Sequence, residues 1–525
     1  MGDNKCSRDE CKLNVYQDEK CVLHCKKKSK YRDADLQLYE DFNNALIDNI
    51  AEQLEESSNN EDAIIDKRSA IRFLHGESFQ AIFSNDEEMV RLASNALGNI
   101  INCVNIIFPP RKSQDNFDYE KVLTKLKAIQ FNFCQFNTWT LRLDNITCFF
   151  ADCTFLDDWS CPPVLKWDRR ENIYQACTFK GKVSNYSSID RNETVSIYIV
   201  PLFDYLCTFE KEIVFDNTKF KKPFFYSSVK QTRANKDWLK RLSFKNCIFE
   251  EVFKLNNCEE FDFICEDTIF VKKSKFEFKD NKLENFELEN TNFKVLVDCF
   301  HTEFKSFEVK KSIFEKFTGF EQCKFGEKEN SVKKAIFQYA TFLDFVNFRD
   351  AKFHNGLDLR NANFKEIPNF LDVYIEAKNT NRETFRIIKY SFDSVGNTIE
   401  ANKFFTYEMD KERQSISWRD SKSKYLALQL NYYISNFGQS WLTPFFLILY
   451  FLVLQYLVFC LMDNWQIENK ALRTIWVEIN NSISYFMPFK KFLVEGKEFV
   501  SLFFLIIYST LIYNLIIAVK RITKR

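Results

Sequence analysis

The stretch NKLENFELENTNFKVLVDCFHTEFKSFEVKKSIF, residues 281–314, decides how the chain folds. Apolar residues return every five positions, at Leu283, Leu288 and Phe293, then again at Phe304, Val309 and Phe314. A period of five fits neither an α-helix nor a flat strand, which repeat at 3.6 and 2. Outward from this stretch a second regularity appears: a small residue is followed two places later by Phe. It is seen at Cys153/Phe155, Cys177/Phe179, Cys207/Phe209, Cys247/Phe249, Thr268/Phe270, Ser274/Phe276 and Thr291/Phe293. It continues at Thr302/Phe304, Ser312/Phe314, Cys323/Phe325, Ala335/Phe337, Ala340/Phe342, Ala351/Phe353 and Ala362/Phe364. Self-similarity at a short fixed period predicts a solenoid whose coils stack on one another. The competing reading is an antiparallel sandwich rich in Phe.

The pattern resembles the pentapeptide-repeat family, whose unit has a central Leu or Phe with a small residue two places before it. The resemblance is close over 244–366 and loose over 131–243, where insertions break the spacing. It implies a mainly β fold, a right-handed, four-sided β-helix over 131–366, with both repeat positions pointing inward. At roughly 20 residues per coil and ~4.8 Å per layer the stretch predicts about eleven coils, a rod on the order of 50 Å.

The chain has 525 residues with 73 Lys and Arg against 73 Asp and Glu, so no net field favours nucleic acid. Gly is scarce, while Phe, Lys and Asn abound; the bias is read as compositional, with no chemistry attached to it. The 17 Cys look like a disulfide framework until they are placed. Five of them occupy the small inward slot of the repeat, where a reduced thiol serves as a small hydrophobe. With no signal peptide at the start, a reducing compartment is expected.

Residues 1–30 hold Cys6, Cys11, Cys21, His24 and Cys25. Cys21-Val-Leu-His24 offers one pair of ligands and Cys6-x4-Cys11 the other, which together suit a tetrahedral zinc site. So short a segment buries no core, so metal would fold it. Cys25 is one candidate too many, and a disordered leader with incidental thiols is the competing reading. The basic run Lys26–Lys30 is read as a solvated charge run.

Residues 31–130 read as helical. Leu36, Tyr39, Phe42, Leu46 and Ile50 form one apolar stripe, and further periodic segments follow at Ala63–Phe83 and Glu88–Val104. This region is expected to cap the open strand edges of the first coil. Over 367–440 the period is helical again. Gly396-Asn397 fits the turn of a helical hairpin, with Ala401 small enough for close approach. Glu408 has no partner constellation for acid–base work. Ser417–Asn436 is aromatic and basic, as a helix in the lipid headgroup layer would be.

Two segments in 441–525 assign the chain to a membrane. Trp441–Met462 and Phe499–Val519 contain no charged residue, and each is long enough for a ~30 Å hydrocarbon core. Lys520, Arg521, Lys524 and Arg525 form a positive end that should stay cytoplasmic. Residues 1–440 then lie on the same side of a bacterial inner (plasma) membrane, the chain being multi-pass.

The polar intruders in the spans, Gln455 and Asn514, are the pore candidates. Between the spans, the segment beginning at Asn480 and ending at Pro488 sits where a re-entrant loop would be. It lacks the glycines that a potassium filter uses to face carbonyls toward the ion. Over 244–366 there are 20 Lys and Arg against 23 Asp and Glu, too balanced for a mimic of duplex DNA. The 4 His make no catalytic set, His301 and His354 reading as outward-facing, and no P-loop, Rossmann glycines or nucleophile elbow is present. The expected function is non-enzymatic: a scaffold whose rod binds a cytoplasmic protein partner. The alternative is an oligomeric two-span pore gated by the repeats.

Overall fold

A computed structural model of the chain describes residues 5–8, 11, 13–28, 30, 32–58, 65–83, 90–91, 94, 98–111, 117–143, 146–162, 172–185, 195–227, 237–271, 275–327, 333–464, 470–486 and 493–523. Ser274, Met487, Pro488, Lys524, Arg525, the start of Ala63–Phe83 and part of Glu88–Val104, singled out above, lie outside them. The chain forms two units, Met1–Asn355 with Asn361–Tyr374, and Gly356–Arg360 with Ile375–Arg525.

The first unit is dominated by short parallel strands stacked into sheets of up to 12 strands. The advance between partners is regular where the sequence is. Lys282 faces Glu303 and Asn292 faces Ile313, 21 residues on in both ladders. Between Phe220 and Phe249, and again between Phe314 and Phe342, the advance lengthens to take up an insertion. The antiparallel sandwich is not what forms: every pairing between named strands given for the described residues is parallel.

The Phe period becomes a ladder of rings. Phe220, Phe249, Phe270, Phe293, Phe314, Phe342 and Phe364 stack face to face at 4.7, 4.7, 4.7, 5.0, 4.8 and 5.1 Å. A second column runs through Phe108, Phe136, Phe155, Phe179 and Phe209 at 4.8, 5.0, 4.6 and 5.0 Å. These distances are the spacing of hydrogen-bonded strands, so the backbone sets the ring stacking. Among the described residues, where the small residue two places earlier is Thr, Ser or Cys, it is buried beside the column and uses its hydroxyl or thiol. Thr291 donates to the carbonyls of Glu289 and, one layer back, Cys265, at 3.1 and 3.2 Å. Cys153 does the same toward Ala151 and Phe131 at 3.3 and 3.4 Å. The 17 cysteines are all free thiols.

Between one strand and the next the chain turns a corner through a left-handed residue. Asn217, Asn246, Asp267, Asn290, Lys311, Tyr339 and Asn361 have φ of 46 to 59°, each standing immediately before the small residue. Asp280, His301, Gln322, Asp350 and Asp372 mark a second series. Asn and Asp tolerate this region best among residues with a side chain. The Asn content therefore has a structural use, which corrects the purely compositional reading. Asn290→Val is expected to lower the unfolding free energy by about 1–2 kcal/mol, while Asn290→Gly stays within about 1 kcal/mol of the parent. Urea denaturation of the two variants beside the parent checks this, and equal stabilities would refute the corner argument.

The stack begins earlier than the repeat pattern suggests. Ile100–Val104 is a strand rather than the end of a helix, and it pairs in parallel with Ala128–Asn132. Alternation of burial along Ile100–Val104 replaces the helical period. The cap expected over 31–130 is narrower than that range. Its main helix is Leu36–Ser58, with Phe42, Leu46 and Ile50 fully buried. Gln53 covers the open strand edge directly: its amide donates to the Asn102 carbonyl at 2.9 Å and accepts from the Asn102 N–H at 2.8 Å. One side chain thus stands in for a missing strand.

In the second unit, Arg382–Ser394 and Thr398–Ser415 form the expected helical hairpin, turning at Gly396 with φ of 78°. Asn397 caps the second helix, and Phe392 stacks on Phe404 at 5.6 Å beside buried Ala401. Arg382 pairs with Glu412, Arg386 with Glu408 at 3.0 Å, and Lys424 with Glu412 at 2.6 Å. Glu408 is thus a salt-bridged anchor between the hairpin helices. Lys422–Ser435 follows, then the apolar helices Leu442–Asn464 and Glu498–Thr523, with Lys470–Phe486 between them.

Candidate metal centre

The first residues make a small knuckle. Antiparallel bridges join Lys5 to Asn14 and Gln17 to Lys20. A tight turn at Cys21 carries His24 and Cys25 on the Cys21 carbonyl, at 3.1 and 2.9 Å. The ligating atoms of Cys6, Cys11, Cys21 and His24 all lie within 4.8 Å of one another. His24 Nδ1 is 3.4 Å from the Cys6 sulfur and 3.3 Å from that of Cys21, and the Cys11 and Cys21 sulfurs are 3.7 Å apart. Such a Cys3His group can hold a metal ion.

Cys25, the fifth candidate, stands apart. One residue beyond His24, it turns the other way, and its buried thiol points to the Val22 carbonyl at 3.7 Å.

Burial lowers the His24 pKa to about 4, with the charges of Arg8 and Lys27 acting in the same direction and the Val104 backbone against them, so the ring is neutral at physiological pH. Burial pushes Cys21 up to about 12 and raises Cys11 as well. At Cys6 burial also pushes upward, but backbone donors at Arg8 and Cys21 outweigh it and the thiol is lowered. A cation among the sulfurs would supply the charge that makes the other thiolates affordable.

The knuckle is joined to the first strands. The Ile107 N–H donates to the Leu23 carbonyl at 2.9 Å, and the Arg8 guanidinium donates to the Asn105 side chain at 3.2 Å. Lys27 is buried, against the reading of 26–30 as a solvated run. Its ammonium donates to the Val22 and Leu23 carbonyls at 2.5 and 3.0 Å and lies 5.0 Å from the Phe42 ring centroid. Burial lowers its pKa to about 8. Its neighbours Lys26 and Lys28 are exposed. A charge run shows only its composition, and the turn that buries its second member is set by the Cys21–Cys25 geometry.

The pore candidates are engaged within the chain. Gln455 accepts from the Tyr508 hydroxyl at 2.7 Å, joining the two apolar helices. Asn514 accepts from Ser435 at 3.2 Å and donates to the Thr510 carbonyl at 2.9 Å. The segment considered for a re-entrant loop is helical over Asn480–Phe486, as part of Lys470–Phe486.

Arg111 is a charged residue that motif reading did not single out. It is buried between Asp118 at 3.4 Å and Glu120 at 2.5 Å, and donates to the Thr140 carbonyl. It ties the chain after Pro109-Pro110 to the next layer. No family model, curated protein or solved structure matches the chain.

Proposed function

We propose that the chain is a membrane-anchored scaffold: a right-handed four-sided β-helix of the pentapeptide-repeat type, fixed by two spans, presenting its faces to a protein partner. The observation that carries the anchoring is Leu442–Met462, an apolar span of 21 residues within the helix Leu442–Asn464, with mean hydropathy 2.5 and its most apolar stretch left uncovered by the described residues. Glu498–Arg521 is its companion, 24 residues at hydropathy 2.3 and 17% buried. A core helix of this composition would be covered by other side chains; these present Leu, Phe, Val and Tyr outward, as lipid requires.

The scaffold reading rests on the strand surface. Its charges neutralise one another across layers: Lys245 with Glu266 at 2.9 Å, Lys305 with Glu284 at 2.7 Å, and Lys324 with Glu303 at 2.6 Å. A groove of about 840 Å³ crosses the layers of Glu284, Glu303, Lys305 and Lys324, with exposed Tyr374 among its walls. Mixed charge beside an exposed aromatic ring suits a protein surface better than a nucleic acid. The membrane is taken to be a bacterial inner membrane, with the strands and the C-terminus cytoplasmic. The knuckle is assigned to zinc. A tetrahedral ion with bonds of about 2.3 Å to sulfur and 2.0 Å to nitrogen needs S···S edges of about 3.8 Å and S···N edges of about 3.5 Å. One S···S separation of 3.7 Å and two S···N separations of 3.4 and 3.3 Å are close to these edges.

The scaffold is favoured over a pore because Gln455 and Asn514 have partners inside the chain. After carbonate extraction the full-length protein is expected in the membrane pellet, and a chain ended after Asn436 in the supernatant. In planar bilayers the full-length protein should give no unitary currents. Extraction of the full-length chain into carbonate would overturn the anchor; reproducible single-channel steps would overturn the scaffold in favour of the pore.

A further inference from the structure

The helix Lys470–Phe486 has an apolar face that is exposed among the described residues. Leu472, Ile475, Trp476 and Ile479 recur at three- and four-residue steps, one stripe of an amphipathic helix. Leu472 is 57% exposed, Ile475 52% and Ile479 41%. Arg473, Thr474, Glu478 and Asn481 lie on the rest of the circumference and are also exposed, with Val477, 49% exposed, the one large apolar residue among them.

The helix is nonetheless fixed in place. Asn480, on the polar side, is buried and bridges to the start of the second apolar helix. Its amide donates to the Gly496 carbonyl at 2.9 Å, and its oxygen accepts from the Phe499 N–H at 2.9 Å, satisfying a first-turn donor. Trp476 sets the edge of its ring against Phe499, with centroids 6.2 Å apart. The stripe is therefore held level with the first turn of Glu498–Thr523 and is continuous with that helix's apolar surface.

We infer that Lys470–Phe486 lies in the membrane plane and docks its Leu472–Ile475–Trp476–Ile479 stripe on a lipid surface. The leaflet is the one opposite the juxtamembrane helix Lys422–Ser435. This rests on the two apolar helices spanning the bilayer. Three observations select lipid. The stripe joins a surface already assigned to acyl chains, its depth is set at the end of a span, and Arg473 and Glu478 forbid immersion in the hydrocarbon. A pore helix dipping between spans would carry both charges into the core.

The test places a diazirine-bearing amino acid at one position at a time in the full-length protein reconstituted in phosphatidylethanolamine–phosphatidylglycerol vesicles. Position 453, in place of Val453 in the first span and 61% exposed, reports on spanning itself. Positions 475 and 478 report on the two faces of the helix. Lipid adducts at 475 matching those at 453, and several-fold above those at 478, are expected. Adducts at 453 with protein–protein dimers at 475 would replace lipid by a second copy and overturn the inference. Equal labelling at 475 and 478 would overturn the in-plane orientation. Absence of lipid adducts at 453 would remove the spanning premise, and the inference with it.

Discussion

Cys21→Ser is expected to strip the purified full-length protein of its zinc, from one ion per chain to none, while Cys25→Ser leaves it bound. The two thiols are four residues apart and both buried, so burial alone does not separate them. What separates them is direction. The Cys21 sulfur faces Cys11 and His24, and that of Cys25 faces a carbonyl. Structural zinc contributes roughly 10–16 kcal/mol to the folding of small knuckles at neutral pH, far more than a segment without a core supplies by itself. Without metal, the amides of Cys6, His24 and Cys25, which are hydrogen-bonded within the knuckle, should lose their protection. The Ile107 N–H, whose acceptor is the Leu23 carbonyl, should exchange faster as well. Acid should act in the same direction. Cys21 is raised to about 12 in the metal-free site, so protons compete with zinc for the thiols, and occupancy falls as pH is lowered. Elemental analysis and hydrogen exchange on both variants decide the matter. Zinc retained by Cys21→Ser, or absent from the parent, would remove the site.

Much of this architecture is legible in the sequence because its signals are periodic. The Phe columns and the apolar stripe of Leu36–Ser58 repeat a spacing that a backbone geometry imposes, while the two apolar helices show as long uncharged runs and the hairpin turn by its Gly396-Asn397 pair. Less legible are features decided by a single contact. Gln53 closes the strand edge at Asn102 with one amide, and nothing distinguishes it in sequence from other glutamines. Ile100–Val104 joins the stack because Ala128–Asn132 lies beside it, although its apolar residues also fit a helical period. Cys25 and Lys27 are placed by the turn that begins at Cys21, and Arg111 by carboxylates at Asp118 and Glu120. Composition alone hides a positional signal: the residue before the small slot, as at Asn290 before Thr291 and Asn246 before Cys247, is often Asn or Asp, and its backbone turns left-handed there.

Phe293→Ala should cost about 3–5 kcal/mol, the range for removing a buried aromatic ring when its surroundings relax only in part. Phe293 is fully buried and stacked on both faces, by Phe270 at 4.7 Å and Phe314 at 5.0 Å. Phe276 also meets it edge-on at 5.1 Å. Deleting the ring removes contacts from the layers before and after it, while the flanking strands remain tied by their ladder hydrogen bonds. Phe293→Leu keeps most of the volume and should cost less than half as much. The damage should also be local. In a stack where each layer touches only its neighbours, stability is close to a sum of layer and interface contributions. Amides of Asn292 and Ile313, which face each other across the lesion, should exchange faster. Those near Ile107, many layers away, should keep their protection. A domain with one undivided core would instead lose protection everywhere at once. Hydrogen exchange on Phe293→Ala therefore separates two ways of holding the same rings together: uniform loss would contradict the layered picture, and loss confined to neighbouring layers would follow from it.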